Sequence, residues 1–295
     1  MSLTGNGTVV DHIDGNDSDN PYGYVPSRTV AIIFLSLFTA STVIHGWQAS
    51  HYRKWWLLYT ACLCGVIELA GWSGRLWSSF SPLLDSPFQM QITCTIIAPT
   101  PLLAASFIIF GDIIKILGPM YSRLNPRLYT IIFTSCDVVS LVVQGVGGGL
   151  AASSDGPDGA EMAIIILVFC ACAIEFGYRY TYGIPFPAGI RSPRNIFRTG
   201  HSIGRGDLTI RIQLMCYALV FSTTVLFIRA IYRIIELTDG WNGRIIQTEL
   251  YFNVLDGAMV VLAIYTLNIF HPGMMLSEQF VSEKGGSEME RLETQ

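Results

Sequence analysis

Acids and bases recur at helical spacing inside stretches of this chain that are otherwise apolar. Glu68, Trp72 and Arg75 stand at i, i+4 and i+7, which brings an acid, an indole and a base onto one helix face. Arg229, Arg233 and Glu236 repeat that spacing, and Asp137, Ser140 and Gln144 share a third face. Glu175, Glu249 and Asp256 lie in further apolar runs. An ionised side chain in lipid costs several kcal/mol unless it is paired or wetted. Both signs are present, so ion pairs can offset that cost. Acids such as Glu68, Asp137 and Asp256 suit an ammonium group, whereas Arg75, Arg229 and Arg233 suit a phosphate or carboxylate. A purely structural role, locking helices together or snorkelling to the interface, competes most strongly for Arg75, Glu236 and Glu249, which stand near the ends of their runs.

The elements that must position these residues are membrane-spanning helices. The 295 residues are 51% hydrophobic and 14% charged, with a mean hydropathy of +0.45. A soluble domain usually has nearer a quarter of its residues charged. About 20 apolar residues cross the hydrocarbon core as a helix. Seven stretches qualify, at 28–48, 55–76, 89–115, 128–150, 161–180, 211–237 and 249–270. None alternates as a barrel strand would. The expected architecture is an all-α, polytopic bundle of seven transmembrane helices over 28–271, between a polar tail at 1–27 and another at 272–295.

Arg53 and Lys54, then Lys115, Arg123 and Arg127, then Arg191, Arg194, Arg198, Arg205 and Arg211 mark the loops after spans 1, 3 and 5. The opposite loops hold only Arg244. The positive-inside rule therefore places the N-terminus outside and the C-terminus in the cytoplasm. The acidic N-terminal tail lacks the basic start and apolar core of a signal peptide, so the first span is expected to serve as a retained signal-anchor. Two sequons, at Asn6 and Asn16, fall on the outer tail as glycosylation candidates. In that frame Glu175 lies in the inner half of its span. Glu68, Arg75, Gln144, Arg229, Arg233, Glu236, Glu249 and Asp256 are expected to converge on a polar cavity opening outward. Ala104 and Ala105, and Gly145 to Gly149, permit close helix approach. Pro99 and Pro101 should kink span 3 and free backbone carbonyls that need other partners. The seven cysteines all fall in apolar segments and read as small buried hydrophobes rather than as a disulfide framework.

These elements, in their order, resemble the fungal lipid-translocating exporter family, the RTA1-like proteins. The resemblance runs over about 22–275. It rests on Tyr22-Gly23-Tyr24-Val25-Pro26-Ser27, Glu68-x-x-Gly71-Trp72-x-x-Arg75, Ala98-Pro99 with Ala104-Ala105, and Asp137-x-x-Ser140-x-x-x-Gln144-x-x-Gly147-Gly148. It continues through Arg229-x-x-Tyr232-Arg233-x-x-Glu236, then Glu249, Tyr251, Asp256 and His271-Pro272-Gly273. Trp72 stands where the family usually has Tyr, and Asp112 where a basic residue is common. The resemblance implies a seven-helix fungal membrane protein, in the plasma membrane or another endomembrane. It implies binding and translocation or export of an amphiphilic lipid, a sphingoid long-chain base or similar, linked to lipid or toxic-compound stress.

Competing classes leave weaker traces. A heptahelical lipid receptor or sensor shares the topology, but Gly111-Asp112-Ile113-Ile114 replaces an Asp-Arg-Tyr triplet and no Asn-Pro-x-x-Tyr element follows. No Walker loop is present, which argues against ATP-driven transport. An intramembrane zinc hydrolase would need several histidines at one depth, and only His45 lies well inside a span. No catalytic or metal constellation, and so no enzyme activity or cofactor, is expected. The expected partners are a membrane lipid or amphiphile and the bilayer, not nucleic acid, and the sequence carries no signal of oligomeric state.

The topology is open to direct test. Expressed in a eukaryotic host, the protein should shift on deglycosylation, and the shift should vanish in the Asn6→Gln/Asn16→Gln variant. A C-terminal tag should become reachable by antibody only after the cells are permeabilised. A tag exposed on intact cells would reverse the orientation.

Overall fold

The computed structural model describes residues 22–118, 208–239 and 244–276, with isolated positions between 121 and 182. All regular structure among the described residues is helical. Helix α1 (Arg28–His51) leads through a short 3₁₀ turn and a π turn (Leu58–Cys62) into α2 (Leu63–Ser78). Helices α3 (Asp85–Ile97) and α4 (Pro99–Leu117) follow. After residues outside the described set come α5 (Ile210–Asp239) and the short α6 (Glu249–Tyr251). A second π turn (Phe252–Gly257) then leads into α7 (Ala258–Ile269).

Among the described residues, five stretches are long and apolar enough to cross a membrane: Arg28–His51, Trp55–Ser78, Asp85–Leu117, Ile210–Glu236 and Glu249–Leu276. They coincide with the expected spans 1, 2, 3, 6 and 7, while 128–150 and 161–180 fall mainly outside the described residues. Ile32, Ile33, Val43, Ile44 and Trp47 of α1 are exposed, as are Tyr217, Val220 and Ile235 of α5. Apolar faces on this scale are untenable in water and natural in lipid. The chain is an integral membrane protein.

The prolines act where the sequence places them. The long third span divides at Ala98, between α3 and α4, with Pro99 and Pro101 opening the second half. Pro99 has no N–H, so the carbonyl of Thr95, four residues earlier, loses its intrahelical donor. Ala104 and Ala105 are buried as expected. Close approach is most pronounced between α2 and α3. A Cβ at Gly74 would stand 2.9 Å from the Pro87 carbonyl oxygen and 3.2 Å from the Gln91 nitrogen, while one at Gly71 would meet the Thr95 and Cys94 side chains. These glycines bring Arg75 on α2 and Gln91 on α3 within reach of each other. The core below them is aromatic and aliphatic. Phe34 stacks on Trp72 at 4.0 Å, with Phe38, Leu102 and Phe107 fully buried.

Gly74→Ala should therefore lower thermal stability in detergent, by about 1–3 kcal/mol if the cost is that of ordinary overpacking. Gly46→Ala, where a Cβ meets nothing within 4 Å, should leave it unchanged or slightly raised. Equal melting temperatures for the two variants would contradict this packing.

Candidate functional site

The predicted polar residues of spans 2, 6 and 7 meet. On α5, Arg229 and Arg233 lie one turn apart, and both are buried. Asp256, fully buried, comes from the π turn after α6. Its two oxygens take a bidentate pair from Arg233, Nε at 2.9 Å and Nη2 at 2.8 Å. One of them also lies 2.7 Å from Arg229 Nε. Arg233 donates further to Glu236 at 2.7 Å and to the Thr95 hydroxyl at 2.9 Å. Tyr232 holds the other oxygen of Glu236 at 2.8 Å. Arg229 Nη2 donates to the Thr95 carbonyl, the group that Pro99 leaves without an intrahelical partner.

Glu68 stands beside this group, fully buried. Trp72 donates its indole N–H to one carboxyl oxygen at 3.2 Å. The other has no protein partner, although Asp256, Arg229 and Arg233 are close enough for their charges to be felt there. Glu68 keeps one buried oxygen uncommitted to any protein donor, and it is not ion-paired among the described residues.

A second knot lies at the ends of α2 and α6. Arg75 is fully buried. It donates to Gln91 at 3.2 Å, to the Tyr24 hydroxyl at 2.9 Å and to Glu249 at 3.2 Å. The Phe252 ring lies between Arg75, 4.6 Å from its centroid, and Arg233 at 5.3 Å. Residues 22–27 pack against this end of the bundle as a strap. The Tyr22 hydroxyl lies 2.7 Å from Gln91 Oε1 and 2.9 Å from Ser78 Oγ, and the Ser27 N–H donates to Glu249 at 2.9 Å. Burial pushes the Tyr22 phenol up to about 12, against smaller opposing effects of Ser78 and Arg75, and burial also raises Tyr24. Both therefore stay neutral at ordinary pH.

Where the described polar groups meet they leave little open space. Tyr22, Tyr24, Arg75, Gln91, Arg233 and Glu236 line a space of only about 30 Å³, room for a few water molecules at most. Glu175 pairs with Arg179 one turn on, at 2.9 Å with both side chains part-exposed. Asp137, Gln144, Asn6 and Asn16 lie outside the described residues. Tyr22, Tyr24, Gln91, Thr95 and Phe252 join the site although spacing arguments about ionisable groups pass them over. Gln91 and Thr95, four apart in an apolar run, were the available signal.

No group of three or more His, Cys, Asp or Glu residues suited to a metal ion occurs among the described residues.

Comparison with known proteins accords with this architecture. The chain is 28% identical over 283 residues to the sphingoid long-chain base transporter RSB1 of Saccharomyces cerevisiae, covering 85% of this chain and 73% of that protein. It is 24% identical over 286 residues to protoporphyrin uptake protein 1 of the same yeast, covering 84% and 90%. It is 21% identical over 277 residues to the lipid-translocating exporter-like protein RTA1 of Leptosphaeria maculans, covering 85% and 51%. No solved structure matches it. The family model described as RTA1 like protein matches residues 61–279, more than half of the chain, and the chain belongs to that family.

Proposed function

We propose that this protein binds the polar head of an amphiphilic lipid, a sphingoid long-chain base or a chemically similar amphiphile, in the Arg/Asp/Glu cluster and moves it across or out of the bilayer. The observation that carries the reading is the cluster itself. Three guanidiniums and four carboxyl groups (Arg75, Arg229, Arg233; Glu68, Glu236, Glu249, Asp256) are gathered among apolar helices. Buried ion pairs contribute little net stability compared with a well-packed apolar core. Such a cluster in lipid is a functional site by default. The names of the relatives, a long-chain base transporter and a lipid-translocating exporter, support the same class.

Within the cluster, Glu68 is the residue best placed to receive an ammonium. It already faces the guanidinium–carboxylate network and keeps one oxygen uncommitted. The strap of Tyr22 and Tyr24 closes the site, and a head group larger than water enters when the strap lifts. The lipid tail stays between helices or in the bilayer. Seven spans, an outer N-terminus, a plasma-membrane or endomembrane location and the absence of catalysis complete the proposal. With no ATP-binding loop in the sequence, movement is downhill, ion-coupled or scramblase-like.

Reconstitution into liposomes with a labelled long-chain base tests this reading. Glu68→Gln keeps an acceptor for Trp72 and breaks no ion pair, so it should keep its melting temperature and lose at least tenfold in flux. Asp256→Asn strands two arginines and should cost stability as well, on the order of 3–5 kcal/mol. Full flux in a folded Glu68→Gln protein would remove Glu68 from the site. Saturable binding with no flux would instead favour the receptor or sensor reading.

The strap makes a separate prediction. Tyr22→Phe/Tyr24→Phe removes the hydroxyls that meet Ser78, Gln91 and Arg75, and should load the same ligand several-fold faster in stopped-flow binding. An unchanged loading rate would leave the strap structural only.

A further inference from the structure

We propose that the seam between α1 and α7, at the end of the bundle away from the charge cluster, is a second polar site that takes a primary ammonium with a neighbouring hydroxyl. It deepens the lipid-head reading above and rests on it for the amphiphilic nature of the ligand.

Ser41, His45, Gln48 and Tyr52 stand at i, i+4, i+7 and i+11 along and just beyond α1, and Ile264, Asn268 and His271 follow the same rhythm along and just beyond α7. His45 and His271 are fully buried and Asn268 is 7% exposed. The hydrogen bonds fix what each group has left to offer. His45 Nε2 lies 3.1 Å from the Ile264 carbonyl oxygen, which can only accept. That nitrogen therefore carries the proton, and Nδ1 is left as a lone pair. The Gly273 N–H donates to His271 Nδ1 at 3.1 Å, so the proton of His271 sits on Nε2. Gln48 commits its amide N–H to the Asn268 carbonyl at 2.8 Å, and Asn268 commits its own to Ser41 Oγ at 2.6 Å. Their side-chain oxygens remain as acceptors.

Four buried atoms along this seam thus have no protein partner: His45 Nδ1, Gln48 Oε1, Asn268 Oδ1 and His271 Nε2. Three accept and one donates. An anion would meet one donor against three acceptors, and a guanidinium is too broad and too rich in donors for the set. An ammonium offers three donors and no acceptor, and a hydroxyl on the adjacent carbon accepts from His271 Nε2. The Tyr52 ring, stacked on His271 at 4.9 Å, supplies an aromatic wall.

The seam is closed in this structure, so a ligand is admitted as α1 and α7 part. Helix α1 is suited to that movement, because Val43, Ile44 and Trp47 on its far side are exposed. Lys54 is close enough for its charge to be felt at His271, and it opposes a cation there. The two sites occupy opposite ends of the span Glu249–Leu276. Asp256 precedes Asn268 by a stretch of about 18 Å, at about 1.5 Å per residue.

The test uses the full chain in lipid nanodiscs with a photoreactive long-chain amino alcohol, followed by mapping of the crosslinked peptides. Label is expected both around Arg233 and Asp256 and on 41–52 and 264–271. His45→Phe should cut the seam label at least fivefold and leave the other within twofold. Gln48→Met, at a part-exposed position, should do the same with unchanged thermal unfolding, and Lys54→Gln should raise the seam label. An N-acylated probe, with an amide in place of the ammonium, should lose it. Label confined to the charge cluster would overturn the second site and leave the proposed function standing. Label confined to the seam would keep this site and overturn the cluster assignment. Equal seam label from the amine and the N-acyl probe would overturn the ligand class, and seam label indifferent to His45→Phe and Gln48→Met would overturn the residue assignment.

Discussion

The described bundle depends on one carboxylate answering two guanidiniums. Arg229 and Arg233, a turn apart on α5, could not stay buried in an apolar bundle on their own. Asp256 makes them tenable, and it must arrive from another helix with both oxygens facing α5. The π turn Phe252–Gly257 accomplishes this. Phe252 and Asp256, four apart, both point inward there, so the turn that delivers the carboxylate also slides an aromatic ring between Arg75 and Arg233. Its last residue, Gly257, has no room for a Cβ, which would stand 2.5 Å from Trp72 and 2.9 Å from Phe34. π turns of this kind concentrate at functional sites. Here the reason is geometric, because one wide turn must satisfy an ion pair, a ring contact and a close helix approach together.

Helix α3 completes the arrangement through what it lacks. Pro99 withdraws a donor from the Thr95 carbonyl, and Arg229 supplies one. The Thr95 hydroxyl meanwhile accepts from Arg233. A single residue thus binds both arginines, one through its backbone and one through its side chain. The proline kink and the buried arginines are therefore a single feature. Keeping Pro99 without the arginines, or keeping the arginines with an unbroken helix, would leave a buried polar group unmatched.

Much of this was legible in the sequence. The five described spans fall where hydropathy puts them, and the spacing of Glu68, Trp72 and Arg75, and of Arg229, Arg233 and Glu236, correctly brings each set to one face. The need of the carbonyls before Pro99 and Pro101 for other partners was also legible. What did not follow was the pairing, because period and hydropathy act within one helix whereas Arg233–Asp256 and Arg75–Glu249 join different ones. Neutral residues were equally hard to read. Gln91 and Thr95 cost far less to bury than an ion, so they do not stand out in an apolar run although each meets a guanidinium. Tyr22 and Tyr24 lie before the first span, where polarity suggests a solvated tail. Only the fold shows that their hydroxyls complete the Arg75 and Gln91 network. The expected outward cavity also draws on Gln144, which lies outside the described residues. Where the described charges meet, they pair at contact distance and leave about 30 Å³ between them.

Aromatic rings line the core beside the charge cluster. Phe34 lies flat on Trp72, with planes 14° apart, Phe38 stacks on Phe34, and Phe252 is tilted against Trp72. An aliphatic layer would seal equally well, but it would present a crossing ammonium with the full cost of desolvation. Ring faces attract cations, by about 0.5–2 kcal/mol each depending on exposure, while still excluding water. On the proposed reading that choice of side chain is what transport requires. On that reading the rings offer a positively charged head group a partial replacement for its hydration as the helices part.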